Sequence, residues 1–137
     1  MSAGEIFFDT NVLVYLLSRD EAKANTAEEL AERGGTISVQ VLNELANVAR
    51  RRLAMPWPEV IELTTQVQTL FSVVPLTVET HTRGLQVAKS YELSVYDSTI
   101  VAAALLAGCS TLLSEDLQNG QNIDGQLTIH NPFLAAG

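Results

Sequence analysis

The sequence predicts an α/β sandwich around a mostly parallel sheet. Short apolar runs alternate with longer amphipathic runs of helical period, the pattern of strands joined by crossover helices. Stop and turn residues punctuate the runs, as at Gly34-Gly35, Met55-Pro56-Trp57-Pro58 and Gly108. The chain has 137 residues, 47% hydrophobic and 18% charged, with no internal repeat or low-complexity tract. That is enough for one core, so residues 1–137 are expected to form a single domain.

The elements follow in order. Glu5–Phe8 is a short buried strand, and Asp9-Thr10-Asn11 opens a helix that runs to about Ser18. Glu21–Arg33 is a second helix, ended by two glycines, and Thr36–Val39 a second strand. Val41–Leu53 is a third helix with Leu42, Leu45, Ala46, Ala49 and Leu53 on one face. Pro56 and Pro58 start a fourth, to about Phe71. Val73–Leu76 is a strand whose Pro75 places it at a sheet edge. Val78–Tyr91 and Tyr96–Ala107 are the last two helices. Thr111–Ser114 is a strand, Gln118–Gly125 a loop, and Leu127–His130 a weaker final strand.

Composition excludes several classes. The longest apolar run, Ile100–Cys109, has ten residues, and a membrane span needs roughly twenty. Met1–Glu5 lacks the basic region of a secretory leader. A single cysteine cannot form an internal disulfide. A cytoplasmic protein without membrane association is the expectation. The net charge of −8 does not by itself suggest a nucleic-acid binder. Six of the eight basic residues are arginines, however, and Arg50, Arg51 and Arg52 are consecutive.

Four acids share one kind of position. Asp9 and Asp116 follow apolar strands, Glu44 lies in the first turn of the helix after the second strand, and Asp97 in the first turn of the sixth helix. Open α/β sheets bind ligands at the carboxyl ends of their strands. Converging carboxylates suit a hard divalent cation such as Mg²⁺ or Mn²⁺, which takes oxygen ligands and can activate water against a phosphodiester. Thr10 and Asn11 stand ready to orient Asp9, Ser98 and Thr99 to orient Asp97, and Ser114 to orient Asp116. Taken singly, each acid equally suits a helix cap or a first-turn charge. Only their joint placement points to a metal.

The residues also resemble a known family. Phe7-Phe8-Asp9-Thr10-Asn11-Val12-Leu13-Val14-Tyr15 is similar to the opening motif of PIN-domain nucleases. Ser38-Val39-Gln40-Val41-Leu42-Asn43-Glu44 resembles their second motif, Tyr96-Asp97-Ser98-Thr99-Ile100-Val101-Ala102-Ala103-Ala104 the third, and Leu112-Leu113-Ser114-Glu115-Asp116-Leu117 the fourth. Length and layout are most similar to VapC-type toxins of toxin–antitoxin pairs. The resemblance implies a PIN-like three-layer α/β/α sandwich and a Mg²⁺- or Mn²⁺-dependent endoribonuclease. It implies Asp9, Glu44, Asp97 and Asp116 as the catalytic, metal-binding acids, with Glu115 an adjacent alternative to Asp116. It further implies an RNA substrate, a small antitoxin partner and a homodimer.

Other residues are read on their own chemistry. Arg51, seven positions after Glu44, lies nearly in line with it on the third helix and is placed to meet an RNA phosphate or an antitoxin carboxylate. Arg50 and Arg52 suit a solvated helix end. Trp57 reads as a hydrophobic lid over its turn, Tyr15 as core, and Cys109 as a small buried hydrophobe. His81 and His130 have no partner at zinc spacing. Two other functions compete: a non-catalytic PIN-like interaction module, and a phosphotransfer receiver or aspartyl phosphatase. The latter calls for a lysine near the acids, and neither Lys23 nor Lys89 follows a strand.

Overall fold

The computed structural model describes residues 5–134. Met1–Gly4, on which most of the expectation of no leader rests, lies outside the described residues. The elements are β1 (Ile6–Phe8), α1 (Thr10–Val14), a 3₁₀ turn (Tyr15–Leu17), α2 (Glu21–Arg33), β2 (Thr36–Ser38), α3 (Val39–Arg51), α4 (Trp57–Leu70), β3 (Ser72–Val74), α5 (Val78–Tyr91), α6 (Val95–Leu106), β4 (Thr111–Leu113), β5 (Asn122–Ile123) and β6 (Leu127–His130).

The six strands form one sheet in the order β3-β2-β1-β4-β6-β5. All neighbours are parallel except β5 and β6. The β1–β4 register pairs Ile6, Phe7 and Phe8 with Thr111, Leu112 and Leu113. Helices flank the sheet: α1 packs on α2 and α3, α3 on α4, and α5 on α6. The core is continuous across Phe7, Phe8, Val12, Ile37, Leu45, Val101 and Leu112, all essentially inaccessible to water. Each such large side chain contributes about 1.5–3 kcal/mol through burial.

Local sequence explains most boundaries. Asp20, Ser38, Thr77 and Ser94 cap α2, α3, α5 and α6 with side-chain oxygens, and Thr80 completes a capping box with Thr77. Helix α6 is apolar almost all round because Ile100–Leu105 is buried throughout. β3 lies at the sheet edge as expected, but it starts one residue earlier and stops at Val74, so Pro75 follows the strand and is not part of it. Two expectations need correction. The first helix lasts only to Val14 before tightening into 3₁₀ form. The supposed loop after β4 holds β5, a two-residue antiparallel strand too short to leave a periodic signal. Among the described residues, no helix is long and apolar enough to cross a membrane.

Gly35 enters β2 where the chain grazes β1. A Cβ there would lie 2.8 Å from the Ile6 carbonyl oxygen and 2.8 Å from the Phe8 ring. The backbone oxygen belongs to the central strand and cannot move aside. Gly35→Ala is expected to lower unfolding free energy by about 1–3 kcal/mol, the usual cost of overpacking. Urea unfolding beside the parent protein checks this; an unchanged midpoint would show that β1 yields.

Candidate active site

β1 and β4 end side by side, and the order in which strands are added switches there: β2 and β3 lie on one side of β1, β4 and β6 on the other. This is the switch point where doubly wound sheets open a crevice. A cavity of about 560 Å³ lies there, bordered by Asp9, Asn11, Tyr15, Glu44, Asn47, Val48, Arg52, Asp97, Glu115 and Asp116. The four acids singled out in the sequence therefore share one cavity.

Asp9 is the most deeply set, at 7% exposure. Its Oδ1 accepts from the Thr10 backbone N–H at 2.7 Å. Its Oδ2 accepts from Ser114 Oγ at 2.9 Å and Asn11 Nδ2 at 3.2 Å. All these donors are neutral. Burial raises the Asp9 pKa to about 6; the Ser114 and Thr10 hydrogen bonds oppose the rise, and the charges of Asp97 and Glu44 add to it.

Glu44 is gripped at both oxygens. Thr10 Oγ1 donates to Oε1 at 2.6 Å, and Gln40 Nε2 donates to Oε2 at 3.2 Å. Gln40 also donates to the Tyr96 carbonyl at 3.1 Å, which links Glu44 to the residue before Asp97. Asp116 is exposed and accepts from Asn11 Nδ2 at 3.2 Å. Among the described residues nothing donates to the Asp97 carboxylate, while its backbone N–H is capped by Ser94 Oγ at 3.1 Å.

Several expected pairings differ. Ser114 serves Asp9 rather than Asp116, because β4 delivers its hydroxyl beside the end of β1. Thr10 spends its hydroxyl on Glu44. Ser98 and Thr99 do not touch Asp97. Ser98 is fully buried and its hydroxyl has no hydrogen-bond partner among the described residues, and Thr99 Oγ1 donates to the Val95 carbonyl at 2.7 Å. Arg52, not Arg51, borders the cavity, since it continues the i, i+4 row Glu44–Val48 while Arg51 stays exposed outside it. Arg50 donates to the Met55 carbonyl at 3.1 Å and lies 4.9 Å over the Trp57 ring. Trp57 is no buried lid, being 58% exposed. Tyr15 lines the cavity instead of the core, and Lys23 reaches its hydroxyl at 3.0 Å. Gln40 is the residue that sequence reasoning missed; its place one helical turn before Glu44 was the available signal.

Residues 6–119 match the PIN domain family. The chain belongs to that family.

No curated protein matches the sequence. Among solved structures, this PIN domain is similar to a toxin–antitoxin complex from Klebsiella pneumoniae, at 20% identity and a TM-score of 0.70 over 93% of this chain and 98% of that one. It is also similar to VapC20 of Mycobacterium tuberculosis, described as a sarcin–ricin loop cleaving toxin, at 20% identity and a TM-score of 0.66 over 81% and 91% of the two chains. FitAcB from Neisseria gonorrhoeae gives 19% identity and a TM-score of 0.66 over 93% and 98%. At these identities the likeness is one of fold.

The donor set of this PIN domain can be tested against a hard cation. The four acids offer only oxygen, the chemistry Mg²⁺ and Mn²⁺ favour. Among the described residues the Asp97 carboxylate is uncommitted, and Asp9 bears the cost of ionising while buried, to which the charges of Asp97 and Glu44 add. Among the described residues, no three His, Cys, Asp or Glu side chains stand close enough to hold a metal ion by themselves. The donors thus fit a hard dication in type, and complete coordination calls for water or substrate oxygens, as is usual for Mg²⁺.

The raised Asp9 pKa has a definite sign. Its contribution to stability is full below pH 3.8, falls as pH rises, and is gone above about 6. Asp9→Asn carries its own pH-independent cost, because its amide would face the Asn11 amide. Relative to the parent, the variant should nevertheless gain about 2 kcal/mol between pH 4 and pH 7. Urea unfolding of both proteins at the two pH values, without divalent cations, measures this. A pH-independent difference would remove the case for a strained Asp9.

Proposed function

We propose that this chain is a divalent-metal-dependent endoribonuclease of the VapC toxin type. The observation that carries the reading is the meeting of Asp9, Glu44, Asp97 and Asp116 in one cavity of a PIN domain, although they come from four separate parts of the chain. Likeness of fold to a toxin–antitoxin complex and to a toxin that cleaves the sarcin–ricin loop supports it.

In this reading Asp9 and Asp97 are the principal holders of Mg²⁺ or Mn²⁺. Glu44 and Asp116 complete the acidic wall through waters. Such a cation supplies a lowered pKa for water and charge compensation for a phosphodiester. The protein's own part is orientation. Ser114 and Asn11 fix the rotamer of Asp9, Thr10 and Gln40 fix Glu44, and none of the four adds a positive charge that would compete with the cation. Arg52, at the far wall, takes a neighbouring RNA phosphate as a charge-assisted donor. The partners of this reading are an RNA substrate, a small antitoxin and a second copy of the chain.

Single-turnover cleavage of a panel of structured RNAs in Mg²⁺ tests the reading, with melting curves for each variant. Asp97→Asn keeps the side-chain shape, so the fold should hold while cleavage falls at least about 100-fold. Equal cleavage by this variant and the parent would sink the assignment, and no cleavage by the parent of any RNA would favour the interaction module.

The two arginines separate in RNA binding. Arg52→Ala should weaken binding and flatten the log–log salt dependence by about 0.7, the value of one single-strand phosphate contact. Arg51→Ala should leave the slope in place. The reverse order would return the phosphate contact to Arg51.

A further inference from the structure

Two adjacent acids, Glu115 and Asp116, border the cavity at the end of β4. They are treated very differently. The Asp116 carboxylate is exposed and, among the described residues, accepts a hydrogen bond only from the Asn11 amide. Both oxygens of Glu115 are taken. Tyr15 Oη donates to Oε1 at 2.5 Å, and Lys23 Nζ donates to Oε2 at 2.8 Å.

Lys23 is itself held firmly. Its ammonium donates to Tyr15 Oη at 3.0 Å, lies 4.6 Å from the Tyr15 ring centre and 5.6 Å from that of Phe133. The two rings pack edge to face at 4.7 Å. Cation–π attraction and charge-assisted hydrogen bonds thus act on the same ammonium. Lys23 is one of only two lysines in a chain of net charge −8. Its single positive charge is placed on Glu115, which among the described residues is the wall acid that pairs with a cation.

We infer that Lys23 is a positioning residue: with Tyr15 it holds the Glu115 carboxylate against the cavity wall, so that Asp116 and not Glu115 is the acid from β4 that faces the cation. This rests on the proposed metal-dependent function and deepens it by naming what selects the fourth acid. Toward a dication the wall would thus present a carboxylate already neutralised at Glu115 and one held only by a neutral amide at Asp116. Removing the ammonium leaves Glu115 with a full charge and one neutral donor, at the border of the same cavity.

The test is Mn²⁺ binding to the full chain by isothermal titration, with a melting temperature for each variant. Asp116→Asn should weaken Mn²⁺ binding about tenfold, the low end of what auxiliary groups around a metal contribute. Glu115→Gln should change it less than about twofold, well under that range. In the Asp116→Asn background, Lys23→Met should release Glu115 and restore affinity to within about threefold of the parent, well inside the loss it repairs. Lys23→Arg in that background keeps the ion pair and should restore nothing. Tyr15→Phe with Asp116→Asn frees one oxygen of Glu115 and should restore part, which keeps the test alive should the Lys23→Met protein unfold. Overturning results are a Glu115→Gln loss equal to that of Asp116→Asn, or no recovery in either double variant. If the parent binds no Mn²⁺ at all, the metal site of the proposed function fails and this inference with it; binding by the parent with failure of the other arms overturns the inference alone.

Discussion

The parallel pairing of β1 with β4 is the constraint on which the rest depends. Phe8 lies opposite Leu113, and the ladder continues one step further, with the Asp9 N–H donating to the Leu113 carbonyl at 2.9 Å. That step brings Asp9 and Ser114 together across 105 residues of sequence. A shift of one residue would turn the side chains of β4 to the opposite face. Phe7, Phe8, Leu112 and Leu113 forbid it, since all four are buried where they stand. The apolar core thus sets the polar geometry above it.

A second regularity lies in how the acids are tied. Asp9 and Glu44 receive five hydrogen bonds from side chains and backbone, all from uncharged donors. Neutral donors fix a carboxylate without cancelling its charge, so orientation and electrostatic demand are controlled separately. The positive charges near the cavity stand off the acidic centre. Lys23 is engaged with Glu115, and Arg52 occupies the α3 end of the wall. The fold therefore concentrates negative potential at one point of the cavity and keeps cations of its own away from it.

Much of this was legible in the sequence, and the exceptions have physical causes. The elements Glu21–Arg33 and Val78–Tyr91 were readable to the residue because each combines a capping side chain with an amphipathic period, and the first also ends at a glycine pair. The four acids were readable because strand ends and helix starts can be placed from local pattern alone. The pairing of Ser114 with Asp9 was not, since it depends on which strands are neighbours rather than on either motif. Lys23 and Tyr15 are eight residues apart, but their common target Glu115 lies 92 and 100 residues further on. No local rule brings such a triad together. Angular position on α3 pointed to Arg51, yet the cavity opens toward the Glu44–Val48 row, which the sequence does not reveal.

The two borders of the sheet bear on how this protein meets other chains. At one border β3 offers three residues before Pro75, which has no N–H to give. At the other, β5 is two residues long and ends at Asp124, whose backbone turns to positive φ and whose side chain is held by Arg83 and Tyr91. Among the described residues, neither border presents a long row of open backbone groups, the template that invites another strand to dock or to aggregate. Partners are therefore left to side-chain grooves and helix faces instead of sheet extension.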